Sequence, residues 1–450
     1  MELAEANQKL TKEQKEAIGL LSIGTFLEYF DLMLYVHMAV FLNVLFFEQT
    51  DSLTASLYTA LAFCSTFVFR PIGALIFGYI GDNIGRKSTI TITTFLMAGC
   101  CFGMTVIPTY AEIGITASIL ITICRIVQGI SSMGEIVGAC LYITEIIKPP
   151  MNYCAVTICC AFANLGTIFA LLIATLVTSF DYNWRYAFGF GMVIALVGGV
   201  ARQRLRETPD FADAKRRMKK RFEDAHRDVK ILENNPMWKE KINKKSAISL
   251  FLMDCGWPVA FYIGYFYCSA ILRDTFHYSP AQIIQQNLIV ATVNFLERSI
   301  LSYLAYKIYP LKIVKFKCII FTIFSLFTPY LLSKASSGND VLLVQMVVIA
   351  FGCTTLPAMP IIYKHIPIFK RFTSASISYA CSSAIIYAIT SFGLIYLTAF
   401  FGHSGILVIV IPTVIGFAFA VNHFENLEKE SGDYPQKKKD LVPEMPKFSA

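Results

Sequence analysis

Residues 115–141 read ITASILITICRIVQGISSMGEIVGACL. At 1.5 Å per residue, this run is long enough to cross the ~30 Å hydrocarbon core of a bilayer as a helix. It holds two ionised side chains, Arg125 and Glu135, where a mid-bilayer charge costs at least about 2.5–3.5 kcal/mol. A chain tolerates that cost where the charge is functional or paired. Arg125, Gln128, Ser132 and Glu135 follow at spacings of three, four and three, which places them in one stripe on the helix. The stripe runs about 15 Å along the axis. That length suits a pore lining better than a single structural bridge. Gly129, Gly134 and Gly138 in the same run permit close approach of a neighbouring helix.

The rest of the chain repeats the pattern. Twelve apolar segments are readable, at about 18–46, 54–80, 88–107, 115–141, 153–179, 184–203, 247–271, 281–305, 313–332, 341–363, 373–400 and 404–423. They are continuous runs without the period-two alternation of a membrane barrel. Composition agrees: 55% of the 450 residues are hydrophobic and only 16% charged, against about 25% charged in a soluble domain. The mean hydropathy is +0.56. A soluble fold of this length, a disordered chain and a small disulfide scaffold are excluded. The first 17 residues mix Lys9, Lys12 and Lys15 with Glu13 and Glu16. The apolar stretch after them is too long for a cleavable signal, so it reads as a retained first span. Of the 13 Cys, most lie inside the apolar runs, with no C-x-x-C pair and no Cys/His cluster. Reduced packing residues are expected, and no metal site.

The net charge of +8 is a topology signal. With the N-terminus taken as cytoplasmic, 33 of the 39 Lys and Arg fall in inside segments, three in outside loops and three within spans. That asymmetry predicts both termini inside and an even number of crossings, and it removes the need for a nucleic-acid partner. The long polar stretch 204–246 divides the chain six plus six, as in transporters built from two repeated bundles. Its basic run, Lys215 to Arg221, reads as an amphipathic linker drawn to anionic lipid.

Other spans carry charge too. Gly24, Glu28, Asp31 and Tyr35 share one face of span one, and two carboxylates one turn apart repel, so one holds its proton more tightly. That makes a usable proton carrier, with an interfacial charge pair as the plainer alternative. In span eight, Asn287, Asn294 and Arg298 share a face, while Glu297 and Arg298 are adjacent and point apart. Each is expected to have a partner on another helix, with Asp254 of span seven a candidate for Arg298. Arg70 precedes Pro71 in span two, where a clamp to a neighbouring helix is the structural alternative.

Between spans two and three stands Gly78-Tyr79-Ile80-Gly81-Asp82-Asn83-Ile84-Gly85-Arg86-Lys87. It resembles the G-x-x-x-D-R-x-G-R-K loop of the major facilitator superfamily, and Arg125-Ile126-Val127-Gln128-Gly129 resembles that superfamily's R-x-x-Q-G. The resemblance narrows to the metabolite:proton symporters, which include proline/betaine, shikimate, citrate and 2-oxoglutarate carriers. Four segments carry it: Glu28-Tyr29-Phe30-Asp31; Arg70-Pro71-Ile72-Gly73; Gln128-Gly129 through Gly134-Glu135 to Gly138-Ala139; and Trp184-Arg185 with Leu205-Arg206-Glu207-Thr208-Pro209-Asp210-Phe211. There are departures. Asn83 stands where the loop motif has Arg, and the second-half loop, Tyr303 to Lys317, lacks the pattern. The tail of about 26 residues with Pro435, Pro443 and Pro446 cannot form the long coiled coil of osmosensory relatives.

The resemblance implies an all-α polytopic membrane protein, with twelve transmembrane helices in two six-helix bundles. The expected parts are a cytoplasmic N-terminus (1–17), an N-terminal bundle (18–203), a linker (204–246), a C-terminal bundle (247–424) and a cytoplasmic tail (425–450). The implied function is secondary active transport by alternating access, proton-coupled symport of a zwitterion or organic anion, in the bacterial inner membrane. Glu28, Asp31 and Glu135 are assigned to the proton, tuned by Arg125. Arg70, Gln128, Asn294 and Arg298 are assigned to the solute, the arginines to a carboxylate through their bidentate fork. Trp257, Tyr262 and Tyr265 are candidates to cradle a quaternary ammonium. Gly78, Asp82, Gly85 and Arg86 form the gating loop. The partners are a small solute, protons and the bilayer, with no cofactor, and a monomer is expected. Uncoupled uniport or exchange, and a transporter-like receptor, stay open as alternatives. An intramembrane enzyme does not: Gly129-Ile130-Ser131-Ser132 faintly matches a G-x-S turn, but none of the six His sits mid-span as its base.

Overall fold

The computed structural model describes residues 10–47, 65–180, 182–202 and 242–435. Their regular structure is helical throughout; besides the short turns Tyr110–Ile113 and Gly402–Ser404, twelve longer helices or sectioned helices follow in order among the described residues. The first half holds α1 (Lys12–Phe46), α2 (Arg70–Asn83), α3 (Arg86–Val106), α4 (Ile115–Ile146), α5 (Met151–Ser179) and α6 (Arg185–Arg202). The second half holds α7, in sections Lys244–Asp254, Gly256–Phe261, Tyr262–Tyr267 and Cys268–Asp274, then α8 (Pro280–Lys307) and α9 (Pro310–Lys334). It continues with α10 in two pieces, Gly338–Phe351 and Met359–Lys364. α11 runs Ile368–Ala388 and on through Ile389–Gly393 and Leu394–Phe401, and α12 is Gly405–Glu430. Seven described stretches are long and apolar enough to cross a membrane by length and composition, one of them (Ile368–Glu430) containing both α11 and α12. Residues 54–64 of the expected second span, most of the linker and the end of the tail lie outside the described residues.

Local chemistry explains where the helices begin. Ser279 accepts from the Gln282 N–H at 3.3 Å, and Gln282 Oε1 accepts from the Ser279 N–H at 2.8 Å. This capping box, with Pro280 at the first helical position, starts α8. Ser337 and Asp340 do the same for α10. The positions differ from the sequence expectation in one functional respect. The apolar run 341–363 is not one helix, because α10 stops at Phe351 and resumes at Met359. Pro357 falls in this break and Pro360 in the first turn of the resumed piece; a missing N–H and a fixed φ disfavour a helix continuous through them.

The helices pack as two groups, α1–α6 and α7–α12, meeting along α5 against α8 and along α2 against α11. The first group holds together by backbone approach. A Cβ on Gly129 of α4 would lie 2.0 Å from the Thr66 carbonyl oxygen, and one on Gly166 of α5 would lie 2.1 Å from that of Phe26 in α1. The second group is tied by amides. Gln345 of α10 donates to the Gly264 carbonyl of α7 at 2.7 Å and to Asn287 of α8 at 3.2 Å, and accepts from Gln286 at 2.7 Å. Glu297 finds its partner in Lys317 of α9. The described cysteines are all free thiols.

The start of α1 and the end of α12 lie on one face of the molecule. Gln14 donates to the Ile146 carbonyl at 2.8 Å, and Glu428 near the end of α12 gathers Tyr309, His365 and Lys364, the last two at 2.6 Å. Burial pushes the Glu428 carboxyl up, but hydrogen bonds from His365, Lys364 and Tyr309 outweigh it and hold the group below its usual value. A depressed carboxylate contributes stability that is present above its unfolded value, about 4.3, and is lost as pH falls through the folded one. Glu428→Gln is therefore expected to cost about 2 kcal/mol at pH 7. In thermal unfolding of the purified protein, that difference should start to shrink as the pH falls below about 4.3 and be lost once the carboxyl is protonated in the folded state too.

Candidate functional site

A cavity of about 90 Å³ lies where the two groups meet, with residues of α1, α2, α4 and α5 on one wall and of α7, α8, α10 and α11 on the other. That is room for several water molecules. Its charged lining is Arg70 of α2, Arg298 of α8 and Asp254 of α7. The rest combines rings (Tyr29, Phe67, Trp257, Phe261, Tyr265, Tyr379, Tyr387) with the amides of Asn164 and Asn294. The break in α10 contributes Thr354, Thr355 and Leu356. Irregular backbone at membrane depth is tolerated where it lines a polar cavity.

Each charged group is positioned by its neighbours. The Arg70 guanidinium stacks on Phe67 at 4.4 Å, and that of Arg298 on Trp257 at 4.8 Å. Arg298 Nε donates to Asn294 Oδ1 at 3.4 Å, and Asn294 Nδ2 reaches Asn164 Oδ1 on the opposing wall at 3.4 Å. Asp254 accepts from Ser378 of α11 at 2.6 Å. The expected Arg298–Asp254 pair does not form, because Arg298 lies on its ring and Asp254 is turned to α11. Tyr265 sits in the Tyr262–Tyr267 section of α7, a π-type turn, a distortion frequent at functional sites.

The cavity is closed toward the face that carries the start of α1 and the end of α12. Asp82, at the end of α2, accepts from the backbone N–H of Phe372 at 3.2 Å and of Thr373 at 2.9 Å, and from the Thr373 hydroxyl at 2.6 Å. These groups lie in the first turns of α11, where the helix dipole favours an anion. Glycine makes the approach possible: a Cβ on Gly81 would stand 2.7 Å from the Phe372 ring, and one on Gly78 3.0 Å from Thr373 Cα. Arg371 meets Glu145 of α4 at 3.5 Å. Gly85 starts α3 at φ 150°, ψ 155°, a region essentially reserved for glycine. On the far side, the rings of Phe67 and Tyr387 (4.2 Å) and of His37 and Tyr265 (5.9 Å) meet across the halves. Asp82→Asn keeps the shape and removes the charge. It is expected to weaken the seal by about 1.5–3 kcal/mol, read as at least tenfold faster thiol labelling of a cysteine placed at Thr354.

Residues 21–389 match the Major Facilitator Superfamily. The chain belongs to that superfamily. Among its relatives is the proline/betaine transporter of Salmonella typhimurium, 29% identical over 277 residues, 59% of this chain. The match spans 54% of that relative's length. The inner membrane metabolite transport protein YhjE of Escherichia coli is 28% identical over 386 residues, covering 81% of this chain and 83% of YhjE. Among solved structures, the proton:xylose symporter XylE aligns with a TM-score of 0.73 at 16% identity, over 91% of this chain and 96% of that one. The shared fold is the twelve-helix, two-bundle architecture. This chain is accordingly a multi-pass membrane transporter.

Within this facilitator the sequence-expected residues separate into three places. Arg70, Asn294, Arg298, Trp257 and Tyr265 line the cavity. The span-four stripe does not line it. Gln128 is drawn away because its amide bridges two charges: Nε2 donates to Asp31 Oδ2 at 2.5 Å, and Oε1 accepts from Arg125 Nη1 at 2.8 Å. Arg125 is buried, with its guanidinium 4.1 Å from the Tyr35 ring centre. Glu135, two turns further on, faces α3 and accepts from Thr93 and Thr94 at 3.2 and 2.5 Å. Ser132 is satisfied by its own helix, at the Gly129 carbonyl. Glu28 is buried within electrostatic reach of Cys140 and Tyr29. Tyr262 stacks on Phe266 at 5.4 Å instead of lining the cavity, so no cage forms with Trp257. The Arg86 side chain lies outside the described residues, and Asn83 caps its own helix at the Tyr79 carbonyl, 2.9 Å. Tyr29, Asn164, Thr354, Thr355 and Tyr379 are among the lining groups the sequence assignment missed, and Asp254, expected only as a partner for Arg298, lines the cavity as well. The prolines at 357 and 360 pointed to the α10 contribution.

Proposed function

We propose that this facilitator is a secondary active carrier that moves a small polar organic solute together with protons by alternating access. One observation carries the reading. The cavity is built from both halves and sealed on one face by contacts that run wholly between them, Asp82 to α11 and Glu145 to Arg371. Exchange with that face requires the halves, residues 18–203 and 247–424, to rock apart. The solute contacts are Arg70, Asn294 and Arg298. The proton site is Asp31 in its Gln128–Arg125 setting, with Glu28 and Glu135 as further buried carboxylates. The placement of 33 of 39 basic residues supports a cytoplasmic Asp82 face, in a bacterial inner membrane, with the carrier working as a monomer. Relatives named proline/betaine and metabolite transporters support the solute class.

The deciding experiment is uptake by proteoliposomes, with and without an imposed proton gradient, across proline, glycine betaine, 2-oxoglutarate, citrate and shikimate. Accumulation against a concentration gradient only when the proton gradient is imposed is expected. Uptake that merely equilibrates, equally with and without the gradient, would instead establish uniport or exchange. Saturable binding without uptake would establish a receptor.

A further inference from the structure

We propose that the cavity is a two-ended anion site whose cargo is a small dicarboxylate, with one acidic group held by Arg70 and the other by Arg298 and Asn164. This rests on the carrier reading above and narrows it. Among the described residues, no ion pair involves either guanidinium. Arg70 Nε is buried without a hydrogen-bond partner, and so is Asn164 Nδ2. Arg298 has a single long hydrogen bond to Asn294. Unmade donors of this kind are costly in a low-dielectric cavity, and a carboxylate supplies the acceptors they lack.

Two features set a dicarboxylate apart from a quaternary ammonium. The first is the use of the rings. The guanidinium carbons of Arg70 and Arg298 lie over ring faces, 4.4 Å from the centre of Phe67 and 4.8 Å from that of Trp257, with the Tyr379 ring also 5.7 Å from Arg70. The rings nearest both arginines thus already carry a cation, and the guanidinium N–H groups are left to bind an anion. The second is charge. Two guanidiniums face one carboxylate, Asp254, and that group is already held by Ser378. A betaine bound at one arginine would bring its cation toward the other. A dicarboxylate satisfies both ends. Because Arg70 and Arg298 belong to different halves, the same cargo bridges them, and its binding favours the closed arrangement.

The test is thermal unfolding of the purified full chain in nanodiscs, at constant ionic strength, with succinate, 2-oxoglutarate, glycine betaine, proline or xylose at millimolar concentration. Succinate or 2-oxoglutarate is expected to raise Tm by ~3 °C or more, and glycine betaine to leave it unchanged. Arg70→Gln and Arg298→Gln should each abolish the rise, and Asn164→Ala should weaken apparent affinity about tenfold. Should one glutamine variant not fold, the other and Asn164→Ala decide. Stabilisation by betaine, proline or xylose in place of the dicarboxylates overturns the proposal, as does no dicarboxylate effect, or one that survives in the arginine variants. Gradient-driven accumulation of betaine would overturn this cargo class and leave proton symport standing. A dicarboxylate shift with gradient-independent uptake would do the reverse.

Discussion

Asp31→Asn is expected to abolish gradient-driven accumulation while leaving solute exchange intact. Asp31 is buried in α1 and outside the cavity lining, so its loss removes no solute contact. Its carboxylate accepts from Gln128 Nε2 at 2.5 Å, and the Cys101 thiol approaches it at 2.7 Å. Through Gln128 it faces Arg125, whose Nε and Nη2 have no hydrogen-bond partner. A buried cation in that condition depends on a nearby negative charge. Protonating Asp31 removes the charge and loads the network, which gives the two protonation states different preferred arrangements. Asparagine fixes the neutral form. One proton moving down a pH gradient of ~1.7 units is worth about 2.3 kcal/mol, or roughly a 50-fold concentration ratio. In proteoliposomes that ratio should fall to about one in the variant, while counterflow of preloaded solute continues within about threefold of the wild-type rate. Wild-type accumulation by Asp31→Asn would remove Asp31 from the mechanism. Loss of counterflow as well would make its role structural.

What the sequence made legible, and what it hid, follows from the physics of each signal. Long apolar runs and the basic-residue asymmetry are summed over many residues, so they located the helices well despite the short pieces at α7, α10 and α11. The cavity depends on single side chains and on helix rotation, and there the stripe on span four misled. One helical face is wide enough to touch two neighbours: Gln128 turns to α1 and Glu135 to α3. Spacing shows that residues share a face without showing which helix covers it. The adjacent pair Glu297–Arg298 is instructive in the same way. Both were expected to find partners on other helices, and Glu297 did, in Lys317. Arg298 settled on the Trp257 ring, an attraction that charge counting does not register. The lining tyrosines were hidden for a different reason. In a chain with 22 Tyr and 37 Phe, an aromatic residue carries little positional information. The break in α10 was readable in principle, since Pro357 and Pro360 interrupt an apolar run and such interruptions mark transporter sites.

The Gly129→Val variant is expected to yield no folded protein, and Gly129→Ala to lose about 3–5 kcal/mol. The reason is backbone contact between α4 and the stretch leading into α2. A Cβ on Gly129 would stand 2.0 Å from the Thr66 carbonyl oxygen and 2.8 Å from its carbon. Neither atom can rotate away as a side-chain end could. The contact is doubled two turns along, where a Cβ on Gly73 would lie 2.2 Å from the Ile130 carbonyl oxygen. Relief at one point therefore drives the helices together at the other, unless α2 shifts as a whole. α2 carries Arg70 into the cavity and Asp82 onto α11, so a shift large enough to admit a methyl group would misplace the solute contact and the seal together. Gly99→Ala in α3 is the control, because nothing lies within 4 Å of a Cβ there. Helix propensity alone should make that substitution neutral or slightly stabilising, by up to about 1 kcal/mol. Thermal unfolding of both variants in detergent gives the comparison. A Gly129→Ala protein as stable as Gly99→Ala would mean that α2 and α4 do not meet backbone to backbone.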